Sequence, residues 1–454
     1  MPFDSACRAY QALAGLRQCR SRQIDYTFGR QWRDPITVNG RTITEKEFTE
    51  QSGKKPLANN LIRQMVKTVV GRYRYRAETA RKENLTHGPL EAIKRANMLG
   101  ELDCRMLEEF LISGCAIQRI VSERRPAGCG VWVDNVDPSR FFVNSFTDPR
   151  GCDIELIGMT HDMSLRELTG RFAPEGGDRA VNLRQAATGR HDTFGAATSP
   201  FGAPAPGRCR VVEVWTLDAD TTLRCHDRAT GHYTELQATD QRPELGDTVA
   251  VRSDTSLTWQ CRWYLPDGTM IASYPSPWAH GSHPFVIKLY PLIAGEVHSL
   301  VADVIDQQRY VNRLITLIDH VIGTSAKGAL LFPCDQIPRG HDIADIARQW
   351  ARPDGVILYK PGDPGHTPRQ LVNSNEPASA YHLLEMELKL MQQISGVSDA
   401  LGGHATTDNS RSAALFEAQM NASGIALLDT FAAFDSFVDA RDRKIAALIQ
   451  NTSR

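Results

Sequence analysis

Residues 296–323, EVHSLVADVIDQQRYVNRLITLIDHVIG, decide the reading of this chain. Leu300, Val301, Val304, Ile305, Val311, Leu314, Ile315, Leu317, Ile318, Val321 and Ile322 recur at helical spacing and predict one helix. At ~1.5 Å per residue it spans about 40 Å. Its second half is apolar on more than one stripe, so it is expected to meet neighbours on two sides. A second helix is predicted over Ala378–Ser395, carried by Tyr381, Leu384, Met386, Leu388, Leu390, Met391 and Ile394 and stopped by Gly396. Between the two lies a Pro- and Gly-punctuated insert, Thr324–Pro377. It has strand-like Ala329–Phe332 and Gly355–Tyr359 around a short helix near Ile343–Trp350. A polar, Gly-rich loop, Ser395–Ser410, follows, and then a long helix from Ser412 to Ile449 broken only at Gly424.

Outward from that core, the first two-thirds of the chain reads as one α+β unit with a mostly antiparallel sheet. Helices are predicted over Ser5–Tyr26, from Pro56 to Gly71, and over Leu90–Ser113. Arg72–Arg81, with Tyr73, Tyr75 and Ala77 alternating with Arg72, Arg74 and Arg76, reads as an edge strand with protective charges. Its interleaved basic and aromatic residues also suit single-strand binding, but no second platform accompanies them. Strands are expected at Ala116–Arg124, Gly130–Val136, Ile154–His161, Arg210–Leu217 and Gln260–Tyr264. Thr269–Tyr274 completes a hairpin with the last of these through Pro266-Asp267-Gly268. Ser164 with Glu167 three residues on marks a capping box. Ala173–Gly207, rich in Gly, Ala, Pro, Thr and Ser, is expected to be a mobile surface loop.

The chain has 454 residues, which is too long for one hydrophobic core, so roughly two to four structural units are expected. Its 52 Lys+Arg against 53 Asp+Glu leave a net charge of -1. That balance argues against a domain that grips nucleic acid, which carries a basic excess. No signal peptide opens the chain and no run is apolar enough to span a membrane, so no membrane partner is expected. The ten cysteines form no Cys-x-x-Cys pair. Cys209 and Cys225 would face each other if they lay on neighbouring strands. Buried thiols in a reducing cytoplasm are the expectation for all of them.

Catalytic chemistry finds no foothold. Phosphate-binding Gly-rich loops, Gly-x-Ser-x-Gly and His-Glu-x-x-His are absent, and no catalytic residue or cofactor is assigned. His280 and His283 lack a further ligand at metal spacing, so no metal is assigned to them. Glu296, Asp303 and Asp306 read as a solvated or subunit-facing helix surface rather than paired carboxylates. Gln307, Gln308, Arg309, Asn312 and Arg313 are either polar rungs between adjacent helices or a face turned to a polyanion. The Ser395–Ser410 loop is either a plain connector or an element projecting into a functional space.

Four segments together resemble the portal proteins, or head-to-tail connectors, of tailed bacteriophages, closest to the short-tailed-phage type. Tyr26-Thr27-Phe28-Gly29-Arg30-Gln31-Trp32 is similar to the aromatic-Gly-x-Gln-Trp element near the start of that family. Lys55–Gln64 running into Val69-Val70-Gly71 resembles the Asn-containing helix that follows it. Asp303–Arg313 resembles the Asp-x-Gln-Arg-x-x-Asn signature of the descending stem helix. Ile394-Ser395-Gly396-Val397-Ser398, with the helix after Ser410, resembles the tunnel-loop and wing-helix region.

The resemblance implies an α+β portal fold: an α/β wing, a helical stem, a small α/β clip and a long C-terminal wing helix. Residues 1–295 would be the wing, 296–323 and 378–395 the stem, 324–377 the clip, 396–411 the tunnel loop and 412–454 the wing helix. The crown that many relatives add is then short or absent, or the sequence is a truncated product. The implied function is a ring at the capsid vertex, expected to be a dodecamer, that serves as the channel for genome packaging and ejection. Its implied partners are double-stranded DNA in the channel, the large terminase, head-tail adaptors, and the major capsid and scaffolding proteins. The implied location is the virion, reached through the host cytoplasm. Ser398, Asp399, Gly402, Gly403, His404, Asp408 and Asn409 would face the DNA, and Asp306, Gln307, Arg309 and Asn312 would mark the stem. Two other classes compete: an oligomeric virion adaptor without a channel, and a nuclease, against which the lack of clustered acidic metal ligands speaks.

Overall fold

A computed structural model describes residues 2–83, 88–125, 128–188, 200–228, 230–237, 249–278, 280–325, 329–333, 336–351, 357, 359–360, 368–371, 378–397 and 425–452. The chain divides into two compact units. The larger takes the described residues of 1–24, 64–303 and 396–454; the smaller takes those of 25–63 and 304–395. Residues 25–63 therefore cluster with the helix-pair region and not with the remainder of 1–295.

The elements in chain order begin with α1 (Pro2–Ala12), α2 (Ala14–Thr27), β1 (Pro35–Val38), β2 (Arg41–Thr44), α3 (Glu45–Gln51) and α4 (Leu61–Glu83). Next come α5 (Pro89–Ala96), α6 (Leu99–Ser113), β3 (Cys115–Arg125), β4 (Gly128–Asn135), β5 (Phe141–Val143) and β6 (Leu156–Met163). They are followed by α7 (Leu165–Phe172), α8 (Gly177–Thr188), β7 (Cys209–Asp227), β8 (Tyr233–Gln237), β9 (Val249–Tyr264) and β10 (Met270–Pro275). Then come β11 (Phe285–Leu289), β12 (Pro291–Ile293), β13 (Glu296–Val297) and α9 (Leu300–Ser325). The last are β14 (Ala329–Leu331), α10 (Ile343–Ala351), β15 (Arg369–Leu371), α11 (Ala378–Ser395) and α12 (Leu428–Thr452).

The larger unit is built on antiparallel sheets. Six strands run β10-β9-β7-β6-β5 with β8 also on β7, and three more run β11-β3-β4. Trp215, Trp263, Phe141, Phe285, Leu168 and Phe172 fill its main core, each large side chain contributing on the order of 1.5–3 kcal/mol by leaving water. A second cluster packs Ala6 and Ala9 of α1 on Phe142, Phe201 and Tyr264. Gly158 on β6 is required by closeness: a Cβ there would lie 2.1 Å from the Glu213 carbonyl oxygen and 2.6 Å from the Phe142 ring. α12 is tied to this unit by polar contacts. Buried Arg441 donates to Asp103 of α6, and Lys444 donates to the carbonyls of His283 and Phe285.

Several elements differ from the sequence reading. Arg72–Arg81 is the second half of a helix, not a strand. Val66, Val69 and Tyr73 continue a 3.6-residue stripe through Gly71, with Tyr73 buried against Phe431 and Phe434 and Tyr75 exposed. The predicted first helix is two, and so is Leu90–Ser113, which breaks where Met98 adopts a left-handed backbone. The helix after Pro56 begins at Leu61, and α9 begins at Leu300, where the Ser299 hydroxyl accepts from the Ala302 N–H. Part of the expected loop 173–207 forms α8. Cys209 and Cys225 lie on one strand, β7, and both are free thiols. Residues 355, 356 and 358 of the expected strand Gly355–Tyr359 lie outside the described residues, as does 412–424 of the final helix.

Candidate functional site

The smaller unit contains the buried polar structure to which the motif residues converge. Gln308, Asn312 and Thr316 fall at i, i+4 and i+8 on α9, and all are buried, Gln308 at 0% and Asn312 at 2% exposure. Opposite them runs Leu57–Asn60, which belongs to no helix or strand and whose backbone groups need partners from elsewhere. The Leu57 N–H donates to Thr316 Oγ1 at 3.1 Å, and the Asn59 N–H donates to Asn312 Oδ1 at 3.1 Å. The Leu61 and Ile62 N–H groups donate to Gln308 Oε1 at 3.0 and 3.3 Å. Gln308 Nε2 returns a bond to the Asn59 carbonyl at 2.7 Å.

The geometry follows from two spacings. Four helical residues rise about 6 Å, and two extended residues advance about 6.6 Å. A polar stripe repeating every fourth residue therefore keeps pace with every second residue of an extended chain. The side chains shorten from Gln308 through Asn312 to Thr316, so the extended segment draws nearer the α9 axis toward Leu57. Gln308 and Asn60 also cap the start of α4. Its first N–H groups have no intrahelical acceptors; Gln308 takes two of them and Asn60 Oδ1 takes that of Arg63 at 3.1 Å.

The aromatic-Gly-x-Gln-Trp element closes the network. Asn312 Nδ2 donates to Gln31 Oε1 at 2.5 Å, and Gln31 Nε2 donates to the Tyr26 carbonyl at 2.8 Å and to Asn60 Oδ1 at 3.1 Å. Asn60 Nδ2 donates to the Thr27 carbonyl and Trp32 Nε1 to the Leu57 carbonyl. Gly29, at φ +84°, makes the turn between Tyr26 and Gln31. Beside the amides, Glu45 is held at both oxygens, by Arg309 Nε at 2.8 Å and Arg313 Nε at 2.5 Å, with only 4% of its side chain exposed.

Of the residues marked as stem, Asn312 and Arg309 thus turn inward to Gln31 and Glu45. Asp306 is exposed, and Gln307 is half-buried with Oε1 lacking a donor among the described residues. The rungs are to an extended segment rather than to an adjacent helix. Ser398, Asp399, Gly402, Gly403, His404, Asp408 and Asn409 lie outside the described residues. Glu45 and Thr316 were not anticipated. The fourth-residue spacing from Gln308 signals Thr316, whereas nothing local signals Glu45.

The outward faces of the helix pair are apolar. On α11, Leu383, Met386, Leu390 and Ile394 are exposed at spacings of three, four and four, and Tyr381 is exposed on the opposite face of the helix. On α9, Tyr310, Leu317 and Ile322 are exposed. Such a stripe on a monomer marks a surface meant to be covered. Among the described residues no group of three or more His, Cys, Asp or Glu is placed to hold a metal ion, and no helix is long and apolar enough to cross a membrane. His280 Nδ1 and His283 Nδ1 accept from the Ser282 and Phe285 N–H groups.

Residues 105–452 match the family of phage P22-like portal proteins, and the chain belongs to that family. It is therefore a structural component of a bacteriophage virion, a head-tail connector with a role in DNA packaging. No curated protein matches the chain.

Proposed function

We propose that copies of this chain close into a ring at the capsid vertex, with α9 and α11 as its stem and the bore between copies as the passage for packaged and ejected DNA. The observation that carries this reading is the uncovered apolar stripe of α11 in a chain of the portal family. A head-to-tail ring uses two different faces of each subunit, and α9 and α11 each expose apolar side chains. Residues 324–377 then serve as the docking surface for the terminase and the head-tail adaptors.

The residues 396–411 form the loop that meets DNA, through Ser398, Asp399, Gly402, Gly403, His404, Asp408 and Asn409. Each Lys or Arg fixed on a phosphate would add affinity and drag. As far as Ser410 the loop contains neither, its charges there are Asp399 and Asp408, and Arg411 stands at its end. Arg309 and Asn312 act in this scheme by holding residues 25–63 on the stem, not by touching DNA.

Negative-stain microscopy of the purified protein tests the ring. Perforated rings are expected of the natural chain, and monomers with unchanged circular dichroism of a Leu390→Asp/Ile394→Asp variant. A natural chain that stays monomeric under all assembly conditions, or a doubly charged variant that still closes, overturns the reading. Replacing Ser395–Ser410 by a short linker should leave rings intact and lower the yield of packaged genomes.

A further inference from the structure

The larger unit holds a cavity of about 450 Å³ that the portal role does not use. That volume lies within the range of ligand pockets, roughly 300–1,000 Å³. Its lining comes from β3, β7, α7, β10 and α12, and includes Arg119, Arg171, Glu213, Trp215, Tyr274 and Trp278. Trp215 and Trp278 stack with centroids 5.3 Å apart and planes 24° from parallel, so the wall is flat and aromatic.

The charges on that wall do not balance evenly. Glu213 is served three times: Arg119 Nη2 donates to it at 3.3 Å, Trp215 Nε1 donates at 2.8 Å, and His161 Nε2 lies 2.7 Å away. Glu123, also in the lining, is bound by Arg125 at 2.8 Å. Arg171 has no carboxylate beside it among the described residues; its guanidinium lies over the Trp263 ring at 4.6 Å. Arg119 is buried, and its Nε, although 3.2 Å from Glu213 Oε2, makes no hydrogen bond. A buried donor left unused in a cavity calls for an acceptor. One surplus cation, one idle guanidinium N–H and a pair of stacked indoles together select a flat group carrying negative charge.

We infer that this cavity binds an aromatic carboxylate, whether a small molecule or the free C-terminal aromatic residue of a polypeptide. The ring lies on the half-buried Trp278, which the buried Trp215 backs, and the carboxylate meets Arg171 and the Nε–H of Arg119. Nothing in this inference depends on ring closure, so it stands or falls apart from the proposed function.

Calorimetric titration of the purified protein tests it, with indole-3-acetate, indole-3-acetamide, the tripeptide Gly-Gly-Trp and its C-terminal amide as probes. Saturable binding of one carboxylate per subunit is expected, with each neutral amide weaker by about tenfold, the value of one charge-assisted contact. Arg171→Met, at an exposed position, should weaken the carboxylates by about tenfold and leave the amides within about twofold. Trp278→Ala should weaken all four. Tighter binding of indole-3-acetate points to a small molecule, and tighter binding of Gly-Gly-Trp to a chain terminus; either supports the site. Absence of saturable heat with both carboxylates, equal binding of acid and amide, or indifference to Arg171→Met in a variant with unchanged circular dichroism overturns it.

Discussion

The two units bury polar groups in different proportions. In the smaller, the lattice of Gln31, Asn60, Gln308, Asn312 and Thr316 is made of neutral amides and a hydroxyl, each matched donor to acceptor, with the Glu45 pair to Arg309 and Arg313 beside it. In the larger, full charges go under: Arg119 with Glu213 and His161, and Arg441 with Asp103. Neutral partners lose little on leaving water and exchange one hydrogen bond for another. Charged partners forfeit several kcal/mol of solvation each and recover it only when the pairing is complete. The first arrangement is suited to fixing a register and the second to fixing a site.

The sharpest break in that comparison is expected at Glu213. Glu213→Ala leaves Arg119 buried without its acid and should cost about 3–5 kcal/mol in the larger unit. The double change Arg119→Met/Glu213→Leu should recover most of it. Hydrogen exchange, which follows each unit separately, measures both. Full additivity of the two single losses would mean the pair is not coupled. Gln308→Leu should cost less, about 1–3 kcal/mol: the Leu61 N–H and the Asn59 carbonyl keep their own 2.9 Å bond, so the Ile62 N–H is the backbone group left unmatched, read as its faster exchange. Thr316→Val, which strands only the Leu57 N–H, should come to about 1 kcal/mol.

Acid sharpens the contrast. Burial lowers the pKa of His161, His280 and His283, that of His280 to about 4. The unfolded chain then takes up protons near the ordinary value of 6.5 while the folded chain does not. Stability from these groups is complete above about pH 6.5 and is lost as pH falls toward 4. The amide lattice of the smaller unit carries no charge and should hold its protection over that window. Equal acid losses in both units would contradict the distinction. A further effect is expected at the alkaline end. Burial lowers the pKa of Lys444, which has no carboxylate beside it among the described residues, to about 7 from 10.5. Between those values the unfolded state holds the proton more often, so stability rises with pH. Lys444→Met should flatten that rise in denaturation curves and, by removing the cation that helps lower the pKa of His280 and His283, also soften the acid limb.

How much of this was readable in the sequence depends on which residues carry a period. α11 has the expected bounds because its apolar repeat is long and Gly396, at φ +66°, can terminate it; a Cβ there would come 2.7 Å from Ala426. The Ser164–Glu167 capping box is present as expected. β7 and β9 pair from Val212–Tyr264 out to Asp227–Val249, far beyond the short runs expected, because their outer halves are polar and lack an apolar alternation. Arg72–Arg76 mimics a strand because two tyrosines alternate with arginines, although only Tyr73 belongs to the buried stripe. The site was half readable. Gln308 and Asn312 stand in a motif, but their partners Asn59, Leu61 and Ile62 present backbone groups, which leave no mark in a sequence. Glu45 answers two arginines more than 260 residues away, a pairing no local pattern encodes.

The ladder between Leu57–Ile62 and α9 also orders events in time. Asn59 precedes its acceptor Asn312 by 253 residues, and synthesis at about 5–20 residues per second separates their appearance by about 13–50 s. Through that interval residues 57–62 have no α9 side chains to receive their N–H groups, which stay bound to water. The smaller unit must therefore wait for residues synthesised much later, and a chain interrupted before Thr316 would carry an N-terminal segment without a place to dock.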